Sequence, residues 1–300
     1  MTYHTTVLLH EGVEALSLKP NGVYVDATFG GGGHSQLILD NLKGGKLFAF
    51  DQDPDAERNS IDDQRFHLCK ANFRFLKNFL AANGVNKIDG ILADLGVSGY
   101  QFDEASRGFS FRFEAELDMR MNPVQELSAQ EVVNQYDEVE LKRVFKEYGE
   151  TSYGAALSRR IVQARAEKRI VTINDLLGIV EKLVPERKLK SELAKIFQAI
   201  RIEVNDEMGA LKDFILAATD VLNEGARFVA ISYHSLEDRS VKHFLRSGNF
   251  KDVQDKDLYG NVNRPLDPVG KVIVPSSEEI ERNPRARSAK MRIGIKNSNG

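Results

Sequence analysis

A chain of 300 residues with 42% apolar and 28% charged residues has ordinary globular composition, which excludes a disordered tract, a collagen-like fibre and a disulfide miniprotein. Lys plus Arg (41) against Asp plus Glu (44) leave a formal charge of −3, so a polyanion would have to meet local patches rather than a basic whole. A single cysteine, Cys69, and six scattered histidines give neither an internal disulfide nor C-x-x-C or H-E-x-x-H spacing. The reading is therefore no metal, a reducing compartment and, with no signal-peptide pattern and no apolar run near the roughly 18 residues of a span, a cytoplasmic protein with no membrane partner.

The first hundred residues repeat one grammar: a short β-rich run, a turn with Gly, Asp or Asn, then a helical stretch. Strands are predicted at 23–26, 46–51, 66–70 and 90–95, with helices near 35–41, 54–59 and 75–82. Mostly apolar strands alternating with helices predict an α/β fold, a doubly wound, mainly parallel sheet covered on both faces. After Gly96 the pattern stops, and the next buried-strand run, 226–232, arrives about 130 residues later, when a parallel crossover needs only a dozen or so. Within the gap Ser128-Ala129-Gln130-Glu131 matches a capping box, and Val132, Val133, Tyr136, Val139, Leu141, Val144, Phe145 and Tyr148 follow at helical spacing as far as Gly149. Further helices are expected near 155–168, 173–183 and 189–205. The spacing thus predicts a helical domain, 123–205, inserted in an α/β domain made of 1–122 and 206–300.

The strongest local signal is Asp26-Ala27-Thr28-Phe29-Gly30-Gly31-Gly32-Gly33-His34-Ser35, a glycine run at the carboxyl end of the first strand that opens a helix. Without Cβ atoms these residues let a ligand approach the backbone, and the helix start offers N–H groups. The carboxyl edge is where such sheets bind ligands. Asp51 ends the second strand about 20 residues further on, where a carboxylate accepts two hydrogen bonds from an adenosine ribose; that spacing suits NAD and S-adenosylmethionine equally. A helix N-cap in the turn is the other reading, and Asp53 before Pro54 fills it as well. Asp94-Leu95-Gly96-Val97-Ser98 ends the fourth strand, where a carboxylate faces the reactive end of the ligand and either orients an amine or accepts from the ligand's amino group. Gly96-Val97-Ser98-Gly99 fails the G-x-S-x-G pattern because Tyr100 stands where the second glycine belongs.

Arg107-Gly108-Phe109-Ser110-Phe111-Arg112-Phe113 interleaves aromatics with arginines, a composition that suits base stacking and phosphate contact, or a packed loop. His234-Ser235-Leu236-Glu237-Asp238-Arg239 closes the late strand as a polar turn rather than a triad, since adjacent residues point in different directions. From Arg282 onward the chain carries Arg285, Arg287, Lys290, Arg292 and Lys296 with no acid, and Arg159, Arg160, Arg165, Lys168 and Arg169 form a second basic cluster in the insert. A solvated end is one explanation of such runs; two basic patches also suit an RNA strand held by its phosphates.

Taken in order, these segments resemble one family, the bacterial 16S rRNA cytosine-N4 methyltransferases of the RsmH (MraW) family. The similarity spans His4-Thr5-Thr6-Val7-Leu8-Leu9, the glycine run, the segment after Asp94, Arg107 to Phe111, Leu117-Asp118-Met119-Arg120-Met121, Phe197 to Asn205, His234 to Arg239, and Asn283 to Lys290. Gly99 and Tyr233 depart from that pattern, which has serine and commonly phenylalanine there. The resemblance implies a class I methyltransferase (Rossmann-like) fold and S-adenosyl-L-methionine held by Gly32, Gly33, His34, Asp51, Phe73, Asp94 and Gln101. It implies as partner the 16S rRNA of the small ribosomal subunit, with the exocyclic N4 of a decoding-centre cytosine as target. Asp94 and Ser98, or a backbone carbonyl between Leu95 and Ser98, would orient the amine, and Arg107, Phe109, Phe111, His234, Arg285, Arg287 and Lys290 would meet RNA. A methyltransferase of another amine, on DNA or protein, a nicotinamide oxidoreductase and a non-catalytic ribosome-assembly factor remain as alternatives. The reading admits a homodimer as a further partner.

Overall fold

A computed structural model describes residues 6–298. The chain runs α1 (Leu9–Ala15), β1 (Val23–Asp26), α2 (Gly33–Asn41), β2 (Lys46–Asp51), β3 (Phe66–Lys70), α3 (Leu76–Ala82) and β4 (Ile88–Asp94). Then come α4 (Gly99–Asp103), α5 (Ala129–Gln135), α6 (Glu138–Glu147), α7 (Gly154–Glu167), α8 (Ile173–Glu181) and α9 (Glu186–Asn205). It returns through α10 (Glu207–Val221), β5 (Leu222–Ser232), α11 (Ser235–Ser247), β6 (Leu266–Ile273), α12 (Ser277–Arg282) and β7 (Lys290–Lys296). By backbone contacts it divides into two compact units, one made of the chain up to Gly96 and from Met208 onward, the other of Val97–Glu207.

In the first unit the described strands form one seven-stranded sheet in the order β3-β2-β1-β4-β5-β7-β6. β1 to β5 are parallel, with Tyr24 level with Leu47 on one side and Gly90 on the other. The parallel strands are apolar because both faces are covered; Tyr24, Phe48, Phe50 and Phe228 are fully buried. The order reverses between β1 and β4, so right-handed crossovers put the helices before and after that point on opposite faces. A topological switch point, the usual place for a ligand, therefore lies beyond the carboxyl ends of β1 and β4.

The basic segment near the carboxyl end is not a solvated tail. Residues 290–296 are β7, which pairs antiparallel with β5, Val229 opposite Ile293, and with β6 on its other edge. Arg292 and Lys290 find their acid on α11, where Asp238 lies 2.7 and 3.6 Å from them.

The second unit has its own core, built on Leu141, Val144, Phe145, Leu157, Ile161, Ile173, Leu176, Ile196 and Ile200. Phe109, Leu117, Met119 and Met121 also belong to it, so the division falls at Val97 and Glu207 rather than at 123 and 205. Asn205 clamps the added segment: its side chain accepts from the Met121 N–H and donates to the Met119 carbonyl, both at 2.8 Å. The helix expected to run from 129 to 148 is broken. Tyr136 turns to extended backbone, and Asp137 starts α6 with a capping box shared with Glu140. At Ser128 the hydroxyl engages the Glu131 carboxylate, while the carbonyls of Asp118 and Leu117 accept from the first N–H groups of α5.

Candidate active site

Three carboxylates mark the ends of β1, β2 and β4. Asp26, fully buried, accepts from the Ser35 hydroxyl at 2.7 Å and from the Thr28 N–H at 3.1 Å, which bends the chain out of β1 into the glycine turn. Burial raises its pKa. Asp51 accepts backbone N–H groups from both sides, Gly30 at 2.9 Å on Oδ2 and Asp53 at 2.8 Å on Oδ1. Burial nevertheless pushes this carboxyl up to about 6. Asp53 is the N-cap, accepting from the Asp55 N–H at the start of the short 3₁₀ turn Pro54–Asn59.

The glycine turn is fixed in shape. Gly32 caps α2 with φ +78°, a left-handed backbone that a Cβ would strain. At Gly33 a Cβ would stand 2.0 Å from Thr6 Oγ1, because the chain entering α1 crosses the turn there. The N–H groups of Gly31 and Gly33 make no hydrogen bond among the described residues.

Asp94, at the end of β4, donates its N–H to Thr28 Oγ1 at 2.6 Å and accepts from the Tyr233 hydroxyl at 2.8 Å on Oδ1. Burial pushes its carboxyl up to about 7; the tyrosine opposes that shift, while Asp26, Glu237 and Glu279 reinforce it. Glu237, buried on the first turn of α11, accepts from the N–H groups of Tyr233 (2.9 Å) and His234 (3.3 Å) and so fixes the turn after β5. Phe73 stands in a 3₁₀ turn after β3, its ring edge-on to Phe214 of α10 at 5.1 Å. Arg74 holds the same turn to α10 through Asp213 at 2.6 Å.

With this geometry in view, the chain matches the MraW methylase family over residues 1–297. The chain belongs to that family. A "Ribosomal RNA small subunit methyltransferase H" of Flavobacterium johnsoniae is 54% identical over 297 residues, covering 99% of this chain and 98% of its own length. Another of the same name, from Phocaeicola vulgatus, is 52% identical over 296 residues, covering 98% and 97%. The sheet is accordingly that of a class I, Rossmann-like methyltransferase.

In this MraW methylase family member the expected cofactor residues of the first unit converge on one edge: Gly32 and Gly33 in the turn, with Asp51 and Asp94 at the neighbouring strand ends. Their chemistry fits S-adenosylmethionine. Two desolvated carboxylates gain from hydroxyl donors and a cation, and the turn has N–H groups to offer. His34 differs in kind: only its backbone opens α2, and its ring is buried against Gly12 of α1, where burial lowers its pKa. His4 and Thr5 lie outside the described residues.

Ser98 and Gln101 open the second unit as the capping box of α4. The serine accepts from the Gln101 N–H at 3.3 Å, and the glutamine oxygen accepts from the Ser98 N–H at 3.1 Å. The aromatic loop corrects the sequence reading. Phe109 is buried and offers no face to a base, Phe111 packs edge-on to Phe197 at 5.4 Å, and the exposed ring is Phe113. Arg107 donates to the carbonyls of Arg120 and Met121, both at 3.0 Å, and bridges the loop to the 117–121 segment. The basic cluster of the insert is largely spoken for, by Glu138 near Arg159, Asp175 on Lys168, Glu131 on Arg169 and the Val133 carbonyl on Arg165. Back in the first unit, His234 sits with Nε2 3.1 Å from Glu237, turned toward α11. Arg285 and Arg287 are exposed on the 3₁₀ turn Pro284–Ser288, whereas Lys290 lies near Asp238.

Sequence reasoning missed Thr28, Tyr233 and Glu237 as partners in this edge. Each lies within a segment it quoted, but Thr28 and Tyr233 reach Asp94 from the ends of other strands, which spacing along one chain does not report, while Glu237 fixes the Tyr233 turn locally.

Proposed function

We propose that this protein transfers the methyl group of S-adenosyl-L-methionine to the exocyclic N4 of a decoding-centre cytosine in the 16S rRNA of the small ribosomal subunit. Membership of the MraW methylase family and the similarity to proteins named small-subunit rRNA methyltransferases support the reaction class and the rRNA substrate. No described helix is long and apolar enough to cross a membrane. The observation that carries the chemistry is the Asp94 carboxyl at the switch point, held near neutrality with one oxygen committed to Tyr233.

S-adenosylmethionine, when bound, supplies an electrophilic methyl on a sulfonium. The residues of this chain do the rest. Asp51 keeps lone pairs for ribose hydroxyls after accepting its two backbone N–H groups. The glycine turn admits the methionine portion, and Phe73 offers an apolar face to the adenine. The cytosine amine is a poor nucleophile because its lone pair is delocalised into the ring. An acceptor that takes one N–H of that amine favours a tetrahedral nitrogen and aims its lone pair, and Asp94 Oδ2 is suited to this role. Orientation of this kind lowers a barrier by about 7 kcal/mol or more, and an aspartate with a pKa near 7 also receives the released proton.

The test is mass-spectrometric mapping of methylated nucleosides in small-subunit rRNA from cells with and without the protein, paired with tritiated-methyl transfer by the purified protein. The expected result is one N4-methylated cytosine that depends on the protein. Methyl on another nucleoside, or none, would overturn the assignment.

A further inference from the structure

The Asp94 carboxyl differs from Asp51 in one respect. Asp51 is held by two backbone N–H groups, whereas Asp94 has a single hydrogen-bond donor among the described residues, the Tyr233 hydroxyl 2.8 Å from Oδ1. That hydroxyl comes from the turn between β5 and α11, and the turn is itself fixed: Glu237 accepts the Tyr233 N–H at 2.9 Å, and the ring packs on the core of the first unit beside Gly96. Oδ2 accepts nothing from the described residues.

We propose that Tyr233 is a positioning residue for methyl transfer, its hydroxyl fixing the plane of the Asp94 carboxylate so that Oδ2 alone is presented to the amine. The proposal rests on the transfer reading given above. A buried phenol needs some acceptor wherever it lies, and a purely structural tyrosine would meet that need with Asp94 as a convenience. The two roles differ in what they do to the acid. Among the described residues, the other charged groups that shift Asp94 are Asp26 from β1, Glu237 from α11 and Glu279 from α12, all carboxylates, and each disfavours its ionised form. The Tyr233 hydroxyl, by its hydrogen bond, favours it. Burial, Asp94 itself, Glu237 and Glu279 hold the phenol's own pKa well above its usual value, so it remains a donor throughout.

Tyr233→Phe removes one oxygen and keeps the ring. In the ligand-free protein with carbon-13-labelled aspartate carboxyls, the Asp94 resonance, assigned by its absence in Asp94→Asn, should titrate about one pH unit higher in Tyr233→Phe. The acid limb of kcat/KM should move upward by the same amount, so that transfer at pH near 6.5 falls about tenfold and transfer at pH near 9 falls less than threefold. In an Asp94→Asn background, where that resonance is absent, the second substitution should leave the residual transfer and its pH dependence unchanged. Should Tyr233→Phe fail to fold, 3-fluorotyrosine at this position makes the hydroxyl a stronger donor and should move the Asp94 midpoint down. An unchanged midpoint in either folded variant overturns the positioning role. A shifted midpoint in a protein whose wild type transfers no methyl upholds the Tyr233–Asp94 pairing and overturns the transfer reading instead.

Discussion

Burial raises the carboxyls of Asp94 and Asp51 to about 7 and about 6, so that at neutral pH Asp51 is mostly ionised and Asp94 about half ionised. For an acid with a raised native pKa, the folded state binds more protons than the unfolded one between the ordinary carboxylate value near 4 and the native value, so stability falls as pH rises through that window. Asp94→Asn removes the charge and keeps an acceptor for Tyr233. Its thermal stability relative to wild type should rise from pH 5 to pH 8 by at least on the order of 1 kcal/mol, while methyl transfer falls at least tenfold. A difference that stays the same at both pH values would mean that the carboxyl is not desolvated as described. Asp51→Ala acts elsewhere: cofactor affinity measured by calorimetry should drop before turnover does. In the wild type that affinity should strengthen from pH 5 to 8 as the two acids ionise. The acids were legible in the sequence because each ends a strand of a repeated unit. Their pKa values were not, since these depend on burial and on neighbours such as Glu237 and Glu279 that lie some 140 residues or more from Asp94 along the chain.

At the level of elements, the turn between β1 and α2 is shaped by a contact that no local pattern contains. Alanine is a better helix former than glycine by about 1 kcal/mol, so propensity alone favours Gly33→Ala at the first position of α2. The new Cβ, however, would lie 2.0 Å from Thr6 Oγ1 and 3.0 Å from Thr6 Cβ. Overpacking of this kind costs about 1–3 kcal/mol, and the outcome should be a less stable protein with weaker cofactor binding. Thr6→Gly should rescue Gly33→Ala in a double-mutant cycle followed by denaturant unfolding; additive effects would place the strain elsewhere. Other elements were legible to different degrees. β1, β2 and β3 match their predicted spans because apolar runs between turn residues leave little choice. β7 carries an alternating signal, Met291, Ile293 and Ile295 against Lys290, Arg292 and Gly294, which a count of charges passes over. The break between α5 and α6 is written in Asp137-Glu138-Val139-Glu140, a capping signal inside what reads as one apolar periodicity.

For the whole molecule, the insertion was legible from the long gap before β5, but its near boundary was not. Residues 97–122 lack helical period and join the second unit through single side chains, Phe109, Leu117, Met119 and Met121, that only the packed core identifies. The same tertiary pairing redraws the charge map. A formal charge of −3 forces RNA contact onto local surfaces, and most arginines that the sequence offers for it are already paired with an acid or a carbonyl. Arg285 and Arg287 are exposed on the turn before β7, within reach of a phosphate. Replacing both with alanine should weaken rRNA binding and reduce the slope of log affinity against log salt by about 1.4, at roughly 0.7 per phosphate contact on single strands. Arg292→Ala should lower the melting temperature and leave that slope unchanged, because its guanidinium is bound to Asp238 at 2.7 Å. Filter binding between about 50 and 200 mM salt separates the two cases. An unaltered slope for the Arg285 and Arg287 pair would assign the turn before β7 to structure alone, and RNA contact would then have to come from cations elsewhere, such as Arg112 beside the exposed Phe113 ring.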